Sequence, residues 1–158
     1  MNRRRIRIYL DTSVPSAYFD NRWPDRMDLT RKFWTRLDDY AVFVSAVAYE
    51  EIRRMKDKYP EKEASLLTLI EGIPVLPTTP EIERLADLYL SHGIIPVAHV
   101  EDALRLATAT LNGADYLISW NFRHLVNVRT REKASALNAL YGHPVVGIIT
   151  PPELTGEE

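Results

Sequence analysis

Apolar residues alternate at Ile6, Ile8 and Leu10, and the alternation stops at Asp11. A period of two predicts a strand that runs into an acid. Residues 13–20 read as a short helix and 21–25 as a loop. Leu29, Phe33, Trp34 and Leu37 then recur at helical spacing behind Asp28, which predicts a helix capped by that residue. Residues 41–44 form a second strand, and Ser45 caps a helix over 46–58. Pro60 opens a helix that reaches Leu69 and Ile70 and ends at Gly72.

Strand character returns at 73–76. A helix follows from Thr79 and Pro80, with Leu85, Leu88 and Tyr89 inward and Gly93 past its end. The segment 99–112, stopped by Gly113, is a further helix. Residues 116–119 are a strand, 121–126 a short helix, 130–140 a helix and 145–149 the last strand. Short apolar strands alternating with helices predict an α/β fold around a mainly parallel sheet covered on both faces. Ligands in such sheets sit beyond the carboxyl ends of the strands. The expected organisation is one domain over 1–150 and an exposed tail over 151–158.

Against that frame of strands and helices, the acids carry the chemistry. Asp11 follows the first strand, where an acid either caps the next helix or enters a pocket. Asp102 lies in a helix with apolar residues all round: Leu106 and Ala109 on its own face, and Val100, Ala103, Leu104, Ala107 and Leu111 elsewhere. A carboxylate there is costly without a cation or hydrogen bonds. It either meets a metal, caps backbone amides or pairs with Arg105. Glu51 shares its helix face with Val47, Ala48 and Met55, so it points inward, or sits at an amphipathic boundary; Glu50 falls among Arg53 and Arg54 on the solvent side. Asp115 begins its strand and is expected at the opposite end of the sheet. Asn121, just past Ser119, is at the pocket end as a cap or as part of a metal shell. Carboxylates gathered out of bulk water need a cation, and hard oxygen donors suit Mg²⁺ or Mn²⁺.

Composition removes several rivals. The chain has no cysteine, which excludes thiolate catalysis and Cys-ligated centres and fits a cytoplasmic location. No apolar run approaches the roughly 20 residues of a membrane span. Twenty basic residues against 22 acidic give a net charge of −2, so the chain is not uniformly basic. Basic residues cluster locally at Arg3, Arg4, Arg5 and Arg7, at Arg53, Arg54, Lys56 and Lys58, and at Arg123, Arg129, Arg131 and Lys133. His92, His99, His124 and His143 show no paired zinc spacing, although His99 and His124 flank the expected pocket. Trp23 and Trp120 either stack bases or fill the core.

Four segments occur in an order that resembles the PIN domain family: Asp11-Thr12-Ser13 after a strand; Val44-Ser45-Ala46 through Glu51-Ile52; Glu101-Asp102-Ala103 through Ala109; and Ala114-Asp115 through Trp120-Asn121. The chain is similar to the VapC-like ribonucleases of that family, the toxins of type II toxin–antitoxin pairs, over nearly its whole length. The resemblance implies a three-layer α/β/α sandwich, a pocket holding Mg²⁺ or Mn²⁺, an RNA substrate, a homodimer and a small antitoxin partner. It matches Asp11, Glu51 and Asp102 to the family's principal acids, and Ser13 and Ser119 to its small hydroxyl positions beside the metal. A fourth acid is frequent where this chain has Asn121, which offers a carbonyl oxygen and no charge.

The expected function is therefore metal-dependent hydrolysis of RNA phosphodiester bonds by Asp11, Glu51, Asp102 and Asn121, with Ser13 and Ser119 in support. Two alternatives stand beside it. One is a PIN-fold module, weakened at Asn121, that binds RNA or a partner. The other is an unrelated metal-dependent phosphatase; the haloacid dehalogenase type also begins with strand and Asp but needs a second Asp where Ser13 stands.

Overall fold

Five strands, β1 (Arg7–Leu10), β2 (Ala41–Ser45), β3 (Val75–Leu76), β4 (Tyr116–Ile118) and β5 (Gly147–Ile149), form one sheet in the computed structural model, which describes residues 4–156. Their order is β3-β2-β1-β4-β5, and every pairing is parallel. The chain therefore builds outward from β1 to β3, then returns to lay β4 against the other side of β1. That reversal puts a crevice at the carboxyl ends of β1 and β4, the place where open α/β sheets bind ligands. Arg3 and the last two residues of the expected tail lie outside the described residues.

Both faces of the sheet are covered, which explains the short apolar strands. Tyr9, Phe43, Leu117 and Ile148 face α5 (Pro80–Ser91), α6 (Val100–Leu111) and α7 (Val128–Leu140) in one core. Ile8, Leu10, Val44 and Ile118 face α1 (Ser13–Tyr18) and α2 (Pro24–Trp34) in the other. A smaller cluster of Ile52, Leu66 and Ile70 joins α3 (Ala46–Arg53) to α4 (Pro60–Leu69). The three-layer α/β/α arrangement is the expected one.

Several boundaries follow their capping signals. Ser45 accepts a hydrogen bond from the Ala48 amide, and Thr79 accepts one from Ile82. Others depart from expectation. α2 starts at Pro24 rather than behind Asp28, because Pro at the first helical position gives up an amide that has no intrahelical acceptor there. α3 stops at Arg53, and residues 121–126 form turns instead of a helix. The expected exposed tail is in part a helix, α8 (Pro151–Thr155), closed by a capping box between Thr150 and Glu153. Pro151 is buried and Leu154 packs into the α1–α2 core. Among the described residues no helix is long and apolar enough to cross a membrane.

Candidate metal centre

The register of β1 with β4 brings Leu10 opposite Ile118, so the next residues, Asp11 and Ser119, leave adjacent strands side by side. Asp11 is 3% exposed, and its Oδ2 accepts hydrogen bonds from the hydroxyls of Ser13 (2.6 Å) and Ser119 (2.8 Å). The Ser13 hydroxyl also accepts from the Trp120 amide at 2.9 Å, tying α1 to the loop after β4. This network fixes one carboxylate oxygen and leaves Oδ1 directed towards α6.

α6 runs back along the sheet, so its amino-terminal turn opens at the carboxyl ends of the strands. It delivers Glu101 and Asp102 to the pocket and, one turn on, Arg105. α3 starts directly after β2, with Ser45 as its cap, and carries Glu51 in from the other side. Asp11, Glu51 and Asp102, drawn from three separate parts of the chain, therefore converge as expected. They converge on Arg105, which is 6% exposed.

The Arg105 guanidinium donates through Nη1 to Asp102 Oδ1 at 2.9 Å and through Nη2 to Glu51 Oε2. Its Nη2 is also 3.6 Å from Glu101 Oε2, and its Nε is 3.6 Å from Asp11 Oδ1. The latter separation is too long for a hydrogen bond, and Nε is a buried donor with no acceptor among the described residues. Pairing of Asp102 with Arg105, one of the readings open from the sequence, is thus realised, but Arg105 is shared rather than private to one acid. Asp11, Glu51 and Asp102 face one buried guanidinium, while Glu101 at the rim is also paired with Arg54 at 2.7 Å, so among the described residues the pocket keeps an excess of carboxylate over cation.

The acidities register the burial of the pocket first and its charges second. Burial raises the pKa of Asp102; Arg105 opposes the shift and Asp11 adds to it. Burial also raises that of Glu51, against the pull of Arg105 and a hydrogen bond from Thr12. Burial pulls the Arg105 pKa down, and Asp11, Glu51 and Asp102 together reverse the effect and hold it charged. Tyr9, fully buried beneath the acids and bonded to Ser45 at 2.8 Å, is pushed up by burial and by Asp11.

The remaining candidates divide clearly. Asn121 Oδ1 accepts the His124 backbone amide at 3.0 Å, the capping arrangement, while its own amide donates to Ser119 Oγ at 2.9 Å. Glu50 is exposed, as expected from its helix face. Asp115 lies at the opposite end of the sheet, bonded to Arg4 at 2.6 Å and to the Arg7 amide at 2.8 Å. Of the basic clusters, Arg4 and Arg7 of the first serve that far end, whereas Arg54 of the second reaches the pocket rim through Glu101 at 2.7 Å. Trp120 is core, with its indole N–H donated to Thr30 at 2.9 Å; Trp23 is exposed.

Two features go beyond the sequence expectation: the sharing of Arg105 among several acids, and the meeting of two histidines with Asp102. Arg105 is the only basic residue in a helix with almost no water-facing side, and such a residue must be buried and paired; that was its signal. The second is a cluster of His99, Asp102 and His124, in which one ligand atom from each lies within 4.8 Å of the others. It has no regular sequence spacing, because the loop after β4 brings His124 to the start of α6.

No curated protein matches the chain in sequence. Solved structures resemble it in fold. VapBC2 from Rickettsia felis, bound to a promoter DNA fragment, aligns with a TM-score of 0.59 at 9% identity over 91% of this chain and 98% of that one. A toxin–antitoxin complex from Klebsiella pneumoniae gives 0.58 at 17% identity over 78% and 93%. VapC20 from Mycobacterium tuberculosis, a toxin that cleaves the sarcin–ricin loop, gives 0.55 at 15% identity over 74% and 92%. The family model described as PIN domain matches residues 8–141, a span that runs from the strand before Asp11 through the whole acid cluster to the end of α7. The chain belongs to the PIN domain family.

Proposed function

We propose that the protein is a metal-dependent endoribonuclease that acts as the toxin of a toxin–antitoxin pair. The observation that carries the proposal is the surplus of buried or half-buried carboxylate over cation at the carboxyl ends of β1 and β4. The donor set, all carboxylate and hydroxyl oxygen around Asp11, fits Mg²⁺ or Mn²⁺. Asp11, Glu51 and Asp102 would hold the ion. Bound there, it would supply Lewis acidity to a phosphate oxygen and lower the pKa of a bound water.

The chain's own residues prepare the site. Ser13 and Ser119 fix the orientation of Asp11, and Arg105 draws Asp102 and Glu51 together against their mutual repulsion. Asn121 shapes the loop carrying His124. Arg54 and Arg123 at the rim would hold flanking phosphates, a contact that positions the strand without reading bases. The resemblance to toxin–antitoxin structures supports an antitoxin protein as partner, and the activity named for VapC20 supports RNA as substrate.

One observation favours a second reading, a PIN-fold module that binds RNA without cutting it: Arg105 already partly neutralises the acids, and Asn121 adds no charge. Incubation of the purified protein with RNA and Mg²⁺ or Mn²⁺ separates the two. The nuclease reading expects cleavage that a chelator stops and that Asp11→Asn and Asp102→Asn each abolish. Cleavage surviving both substitutions would overturn it; tight RNA binding without cleavage would establish the module.

A further inference from the structure

His99 immediately precedes α6, and His124 follows β4 in a loop pinned at both backbone ends of that residue. The His124 amide donates to Asn121 Oδ1 at 3.0 Å, and its carbonyl accepts the Thr130 hydroxyl at 3.1 Å. The two imidazoles pack against each other with centroids 4.0 Å apart and planes tilted by 33°. None of their ring nitrogens makes a hydrogen bond among the described residues, so all remain available as donors of a lone pair or a proton. Asp102 adds a carboxylate: Oδ1 is taken by Arg105, and no hydrogen bond among the described residues engages Oδ2. A cavity of about 330 Å³ lined by His99, Glu101, Asp102 and Arg105 opens beside them.

We propose that His99, His124 and Asp102 form a binding site for a borderline transition-metal ion of the Zn²⁺ class, separate in chemistry from the oxygen-only centre but sharing Asp102 with it. Two imidazoles and a carboxylate suit Zn²⁺, Co²⁺ or Ni²⁺, whereas Mg²⁺ takes oxygen ligands. Ligand bonds of about 2.0–2.2 Å require the donor atoms to draw in somewhat from their present spread. His99 is exposed, whereas the His124 backbone and the Asp102 carboxylate are held by hydrogen bonds, so rotation of the His99 side chain would bring its ring nitrogen towards the other two ligands. Three protein ligands leave an open coordination position towards the cavity, which is the form of a site that takes water, phosphate or another exogenous donor. Because Asp102 faces both centres, the two occupancies are coupled. The site itself does not depend on the chain being a ribonuclease.

Zn²⁺ titration of the intact protein by calorimetry, in a competing chelator, tests the inference. We expect one equivalent bound, a loss of affinity of about tenfold or more for His99→Ala and for His124→Ala, and no change for His92→Ala or His143→Ala. Millimolar Mg²⁺, which competes for Asp102 alone, should weaken Zn²⁺ binding without abolishing it. NMR of the wild-type protein supplies a readout independent of any substitution: Zn²⁺ should shift the ring resonances of His99 and His124 and leave those of His92 and His143 in place. Absence of stoichiometric binding, binding unaffected by both His99→Ala and His124→Ala, or ring shifts confined to His92 or His143 would each overturn it. The titration reads metal alone and needs no RNA, so it can fail while the nuclease proposal stands, and the reverse.

Discussion

The two ends of the same sheet treat acidic residues in opposite ways. At the amino-terminal end, Asp115 accepts from Arg4 and from the Arg7 amide, and one acid is matched by one arginine near solvent. At the carboxyl end, Asp11, Glu51 and Asp102 crowd a single buried guanidinium, and only Glu101 at the rim has a second arginine, Arg54. Both arrangements contain an Arg–Asp pair at short range, so the presence of a salt bridge does not separate structure from function. The ratio of acid to base does. A matched, half-exposed pair contributes about 0–1 kcal/mol and is complete; an unmatched buried group of carboxylates invites a further cation.

That contrast breaks most visibly in activity. Asp11→Asn or Asp102→Asn should lower Mg²⁺-dependent RNA cleavage by about 10²–10³-fold or more, the scale of losing a key electrostatic group. Asp115→Asn should leave it unaltered, as read by gel assay on one RNA under identical conditions. Next in size is Arg105→Met. Leaving several buried carboxylates without their shared cation should destabilise the metal-free protein by about 3–5 kcal/mol at neutral pH, measured by denaturant unfolding. Mg²⁺ or mild acid should restore part of the loss, because each supplies positive charge to the same oxygens.

The acidities sharpen the comparison further. Glu51 and Asp102 have folded-state pKa values raised by burial, so the folded protein holds their protons more tightly than the unfolded chain does. Their contribution to stability is therefore full below the ordinary carboxylate range and lost as pH rises through the raised values. Metal affinity runs the other way, since only the ionised carboxylates bind. Melting curves across this range should show metal-free stability declining with pH while the stabilisation given by Mg²⁺ grows; two flat profiles would mean the acids are ordinary. The smallest effect is that of Asn121→Asp. Aspartate keeps the cap on His124 and adds a charge at the rim, and Mg²⁺ affinity should rise by up to about fivefold, or about 1 kcal/mol.

Much of this was legible in the chain. The alternation at Ile6, Ile8 and Leu10 located Asp11, and the apolar circumference of the segment around Asp102 marked that acid as buried, because both are consequences of local periodicity. Residues 151–158 were expected as an exposed tail, but proline in the first turn is compatible with a helix, and α8 forms behind the capping box of Thr150 and Glu153. Arg105 was visible only as a partner for Asp102, since sequence spacing reports its own helix and not the arrival of Asp11 and Glu51 from elsewhere. His99 and His124 were placed at the flank of the pocket, but their meeting with Asp102 was hidden for the same reason, since a loop makes it. Local order is written in periodicity, whereas convergence depends on register and crossover.

Thermal unfolding in increasing Mg²⁺ at pH 7.5, on the wild-type protein, Asp11→Asn and Asp115→Asn, tests most directly whether the surplus of carboxylate at the β1–β4 crevice is a cation site. The wild type and Asp115→Asn should rise in melting temperature together, and Asp11→Asn should barely move. A wild-type protein indifferent to Mg²⁺, or an Asp11→Asn variant stabilised as strongly as the wild type, would contradict the account.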